Sequence, residues 1–156
     1  VAKAGRLSPA LHPGRPVFAV KPTVDELSAL IGHDVADATG AIVAAAEALL
    51  ARGVANVWVS RGSRGSILVG ADGVLEAPTA AARVEDVTGA GDAMTAGFVH
   101  GLLGGQPLPD CVRFGHTAAA LTIASTHTVR ADLGVAFARA TADASATTSQ
   151  PQGGTP

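Results

Sequence analysis

A chain of 156 residues with 47% hydrophobic and 15% charged residues has the make-up of a folded globular domain and not of a disordered one. Its net charge of −2, without a basic stripe carrying interleaved aromatics, argues against nucleic-acid binding, and its single cysteine, Cys111, rules out an internal disulfide. No apolar run reaches the ~18 residues that a membrane span needs, and no signal peptide is visible, so no membrane partner and a cytoplasmic location are expected.

At this length folding hides roughly 70% of the unfolded surface. With four Phe, one Trp and no Tyr, the core must come from Ala, Val, Leu and Ile. Residues 1–15 hold Pro9, Pro13 and Gly14 and read as an irregular lead-in. Pro16 to Val20 has strand length, and Pro22 stops it. Thr23, with Glu26 three positions on, forms a Thr-x-x-Glu capping box that opens a helix to about Ile31, ended by Gly32. A second helix is expected from about Ala38 to Arg52, with Ile42, Val43, Ala46, Leu49 and Leu50 on one face and Gly53 as its stop.

Asn56 to Ser60 reads as a buried strand. A tight turn over Gly62–Gly65 leads to Ile67–Val69, and Ala71-Asp72-Gly73 signals a hairpin before Val74–Glu76. Helices are expected over about Asp92–Leu103, Leu108–Ile123 and Asp132–Ala140, with Cys111 as a small core residue in the second. Strand, helix, strand, then helices, is an α/β pattern. The domain is placed at residues 16–142. Beyond it the Ala-, Ser-, Thr-, Gln- and Gly-rich stretch 143–156 is expected to be a flexible tail.

The richest stretch is Asp86-Val87-Thr88-Gly89-Ala90-Gly91-Asp92. Two glycines around a small residue, at the start of a helix, expose consecutive backbone N–H groups that attract an anion. A carboxylate at that point would repel a bound phosphate. It makes chemical sense if Asp92 takes a proton from an attacking hydroxyl while the amides of Ala90, Gly91 and Asp92 hold the phosphoryl group. The dinucleotide fingerprint fails because its third glycine position is Met94, and no Gly-Lys-Ser/Thr exists for a Walker loop. Asp86 and Thr88 could equally serve only to satisfy turn amides. Ser60, Gly62 and Gly65 read either as a tight turn or as a loop approaching a nucleotide beyond a buried strand. None of the five histidines has metal-ligand spacing.

The segment 86–92 closely resembles the C-terminal signature of the PfkB/ribokinase family of sugar and nucleoside kinases. Lys21-Pro22-Thr23-Val24-Asp25-Glu26-Leu27 is similar to the family's Asn-x-x-Glu segment, with Thr23 where Asn is usual, and Ser60-Arg61-Gly62-Ser63-Arg64-Gly65 to its nucleotide loop. Ala124–Val129 resembles the pseudouridine kinase branch in particular. The resemblance covers roughly residues 16–135. It implies a three-layer, Rossmann-like fold of the ribokinase type, of which this chain would be the C-terminal, nucleotide-binding portion, since such kinases are about twice as long.

The resemblance further implies ATP-dependent transfer of the γ-phosphoryl group to a sugar or nucleoside hydroxyl. The pseudouridine kinase-like reading comes first. A fructokinase or phosphofructokinase-like kinase, or a non-catalytic nucleotide-binding fragment, is the alternative. By resemblance Asp92 is the catalytic base and Gly89, Ala90 and Gly91 form the anion hole. Ser60, Gly62, Gly65 and His116 would meet the nucleotide, with His116 flanking the base unless it is a partly buried helix histidine. His127 would lie nearby. Glu26 would organise Mg2+ and water besides capping its helix, and Asp86 and Thr88 would help hold a monovalent cation, K+. An upstream half carrying most of the acceptor site would leave an apolar edge here, so pairing with that half or with a second copy is expected.

Overall fold

The computed structural model describes residues 16–79, 82, 85–125 and 132–148, with backbone alone for 133 and 142–148. The lead-in, His127 and the end of the tail lie outside the described residues. The chain forms two compact units, residues 1–79 and 80–156.

The first unit runs β1 (Val17–Val20), α1 (Val24–Ile31), α2 (Thr39–Leu50), β2 (Val54–Ser60), a 3-10 turn (Gly62–Arg64), β3 (Ser66–Gly70) and β4 (Gly73–Ala77). Its sheet has the order β1-β2-β3-β4. β1 and β2 are parallel, with Val17 opposite Val54 and Val20 opposite Val57. β3 is antiparallel to both β2 and β4, and its hairpin to β4 turns on Ala71-Asp72 between the paired Gly70 and Gly73. The α/β pattern therefore stands, in a mixed sheet. The parallel pair needs a crossover, which α1 and α2 supply.

The capping box forms as the sequence implies. Glu26 N–H donates to Thr23 Oγ1 at 3.2 Å and Thr23 N–H to Glu26 Oε2 at 3.0 Å. Gly32, at φ 88°, ends α1 in the left-handed conformation that glycine adopts without strain. α2 is shorter than expected at both ends. Ala38 offers no side-chain cap, and residues 51–53 turn back, with Gly53 at φ 92°. Ile42, Ala46 and Leu49 are fully buried against Leu27, Val57, Val59 and Ile67, while Val43 and Leu50 pack at the margin of this core. The other face of β2 carries Trp58, whose indole N–H donates to Ser66 Oγ on the neighbouring strand at 2.8 Å.

The second unit holds α3 (Ala90–Leu103), α4 (Leu108–Ile123) and α5 (Leu133–Thr148). α3 and α4 approach closely because of two glycines four residues apart. A β-carbon on Gly97 would sit 2.5 Å from the Phe114 carbonyl oxygen, and one on Gly101 would sit 3.0 Å from Cys111 Cα. Cys111 is fully buried, as expected of a core residue. His100, Phe114 and Phe137 join α3, α4 and α5 through edge-on ring contacts. α5 continues past the expected end at Ala140 to Thr148. Its alanine content explains the extension, since Ala has the highest helix propensity and outweighs the interspersed Thr and Ser.

Candidate functional site

In the first unit the candidate residues gather where the parallel strands β1 and β2 end. This is the carboxyl edge at which open α/β sheets bind ligands. Ser60 closes β2 and ties back to the end of β1: its N–H donates to the Pro22 carbonyl at 2.9 Å, and Thr23 pairs with Ser60 as an isolated bridge. The capping box at Thr23 and the turn after Ser60 are thus adjacent.

That turn is held from several directions. Arg61 N–H donates to the Gly65 carbonyl at 2.8 Å and Gly65 N–H to the Gly62 carbonyl at 3.1 Å. Thr79 Oγ1 donates to the Gly62 carbonyl at 2.9 Å. Gly62 and Gly65 both have positive φ, and a β-carbon at Gly65 would lie 2.1 Å from the Ala77 carbonyl oxygen. Only glycine fits there. Arg61 Nε donates to Asp37 Oδ1 at 2.6 Å, and Arg64 bonds the other oxygen of the same carboxylate. Asp37 had no part in the reading from sequence, because no spacing rule links it to residue 61 or 64.

In the second unit, Asp86 accepts the Thr88 N–H at 2.8 Å. The Thr88 amide and hydroxyl hold its carboxyl below the ordinary carboxylate value. The loop is tied to the end of α4 by Glu85 N–H, which donates to the Ile123 carbonyl at 2.8 Å. Gly89 takes φ 79°, a left-handed turn that lets α3 begin at Ala90, two residues earlier than Asp92.

One expected donor is already engaged. Ala90 N–H donates to the Val87 carbonyl at 3.2 Å, closing the turn, so it is not part of an open anion cradle. Gly91 and Asp92 N–H find no acceptor among the described residues, and both residues are exposed. These are the orphan amides of a helix start, where the dipole also favours an anion. Asp92 stands in the first turn of α3, a position that suits an acidic side chain on helix grounds alone. It lines an open groove of about 570 Å³ with Thr95, Ala96, Val99, His100 and Leu103.

His116 is buried in α4, only 9% exposed, and burial pushes its imidazole below 6.5. This is the setting of a helix histidine kept neutral. For metals, no group of three His, Cys, Asp or Glu side chains converges among the described residues. Of the Glu26 carboxylate, Oε2 serves the cap at Thr23.

The mixed sheet, the crossover and the glycine-opened helix start define a ribokinase-like α/β protein. A model of the pfkB family carbohydrate kinases matches residues 10–133. The chain belongs to this family. It is 35% identical to the 1-phosphofructokinase of Haemophilus influenzae over 73% of its own length and 36% of that protein. With the 1-phosphofructokinase of Haloferax volcanii it shares 38% identity over 74% of its own length and 38% of that protein. The crystal structure of Escherichia coli phosphofructokinase-2 in complex with potassium superposes with a TM-score of 0.73 at 27% identity, covering 86% of this chain and 44% of that one. The chain thus spans less than half the length of the relatives it matches. These relatives correct the expected branch: they favour the phosphofructokinases over pseudouridine kinase. Of the segment that suggested the latter, residues 126–129 lie outside the described residues.

Proposed function

We propose that the chain is the nucleotide-binding part of an ATP-dependent sugar kinase of the phosphofructokinase kind. The observation that carries this reading is the pair of amides, Gly91 and Asp92, that find no acceptor among the described residues, beside the Asp92 carboxylate. Phosphoryl transfer asks for alignment and charge stabilisation more than for covalent help. Two fixed donors at a helix start supply the stabilisation, and a carboxylate in the same turn can accept the proton of the attacking hydroxyl.

Ser60, Gly62 and Gly65 present the nucleotide loop at the carboxyl edge of the sheet. His116 is assigned to the margin of the base site. Gly89 shapes the anion hole, and the Ala90 amide keeps its turn bond. Mg2+ would bind with the nucleotide through Glu26 and water. Asp86 and Thr88 are assigned to a K+ site, a reading supported by the potassium complex of the E. coli neighbour. A cytoplasmic, oligomeric enzyme goes with this function. The tetrameric form of E. coli phosphofructokinase-2 supports oligomerisation, as does the outer edge of β1, where Phe18 is 54% exposed.

The test is an ATP-coupled assay over fructose, its monophosphates, ribose and pseudouridine, with wild type and Asp92→Asn. Transfer to a fructose phosphate, lowered on the order of 10² to 10⁴-fold in the variant, is expected. Equal turnover by Asp92→Asn would remove Asp92 from the mechanism. Transfer to pseudouridine alone would restore the other branch. ATP affinity with no turnover on any acceptor would select the other reading, nucleotide binding without transfer.

A further inference from the structure

Arg61 and Arg64 flank the turn assigned to the nucleotide, and both reach one carboxylate from the segment between α1 and α2. Arg61 Nε lies 2.6 Å from Asp37 Oδ1, and its Nη2 is 3.5 Å from the Asp37 carbonyl oxygen. Arg64 bonds Asp37 Oδ2. The Asp37 and Arg61 side chains are 19% and 13% exposed, whereas Arg64 is 59% exposed. The inner pair is therefore sheltered from screening, and the outer one is not.

Asp37 thereby spans the turn from its first residue to its last helical one, using both carboxylate oxygens. The backbone between these anchors holds Gly62 at φ 59° and Gly65 at φ 83°. Such a loop has little regular hydrogen bonding of its own. Its shape is set by the Arg61–Gly65 and Gly62–Gly65 backbone bonds, the Thr79 contact and the Asp37 clamp.

We propose that Asp37 is a positioning residue for the nucleotide loop. It touches neither substrate nor reacting atoms. It pre-sets the backbone of residues 61–65 by holding Arg61 and Arg64 on one carboxylate. This rests on the kinase reading above, because only that reading makes 60–65 a nucleotide loop.

The test compares wild type, Asp37→Asn and Asp37→Glu by calorimetric titration with Mg–ATP and by amide hydrogen exchange. Asp37→Asn keeps the size of the side chain and loses its charge. The expected result is an ATP affinity about 10-fold weaker, the usual scale for removing one charged hydrogen-bond partner. Exchange should quicken at the Arg64 and Gly65 amides, while the β2 and β3 amides keep their protection. Asp37→Glu, which restores the charge, should recover most of both. Unchanged affinity in Asp37→Asn while wild type binds ATP would overturn the inference and leave the kinase reading standing. Faster exchange spread through β2 and β3 would also overturn it, by showing a merely structural role. A wild type that binds no nucleotide would defeat the kinase reading and this inference together.

Discussion

The Ala90 amide donates to the Val87 carbonyl at 3.2 Å, and this bond decides which amides α3 presents. It closes the turn through Gly89 and leaves Gly91 and Asp92 as the outward donors. Gly89 makes the turn possible at φ 79°. Alanine at that position costs about 1–2 kcal/mol in left-handed strain. Gly89→Ala should therefore lower stability by that amount in urea unfolding, and weaken ATP binding because the helix start relaxes out of place.

Gly97 and Gly101 set how near α3 and α4 stand. A methyl group at Gly97 would overlap the Phe114 carbonyl, which belongs to backbone and cannot simply rotate away. Gly97→Ala should destabilise by about 1–3 kcal/mol through overpacking, read as a drop in Tm. Gly40, with open space around its Cα, is the control. Gly40→Ala, inside α2, should be neutral or stabilising.

The capping box separates two roles of one side chain. Thr23→Ala removes the acceptor for Glu26 N–H and should cost about 1 kcal/mol. Glu26→Gln preserves an acceptor for Thr23 N–H, so stability should change by less than about 0.5 kcal/mol. If Glu26 also organises Mg2+, the same variant should need more Mg2+ for half-maximal turnover. An unchanged Mg2+ requirement would confine Glu26 to the cap.

His116 gives a pH dependence with a definite sign. Burial favours the neutral imidazole and holds its folded-state pKa below 6.5. As pH falls through 6.5 the unfolded chain takes up a proton that the folded chain does not, so stability drops with falling pH. Above 6.5 both states are neutral and the contribution is constant. Urea unfolding between about pH 7.5 and 5.5 should show this loss in wild type and a smaller loss in His116→Gln.

Local chemistry made much of the fold legible. The Thr-x-x-Glu cap, the glycine stops at Gly32 and Gly53 and the Ala71-Asp72 hairpin act within a few residues, and each formed where its residues stand. The end of α5 lies beyond the expected Ala140 because a composition with little apolar surface to bury can still form helix where alanine is frequent. The Gly97 and Gly101 contacts and the Asp37 clamp depend on segments distant in sequence, and no local pattern announces them. In the candidate site, the helix start was visible from Gly89 and Gly91. That Ala90 spends its amide on Val87 follows from turn geometry, which residue types do not specify.

The most direct measurement is a titration of the 15N-labelled chain with Mg–ATP followed by amide resonances. Saturable shifts at Gly91 and Asp92, with a smaller response at Ala90, are predicted. Resonances at 91 and 92 that stay fixed while ATP binds elsewhere, or that stay fixed because ATP does not bind, would contradict phosphate capture at the start of α3.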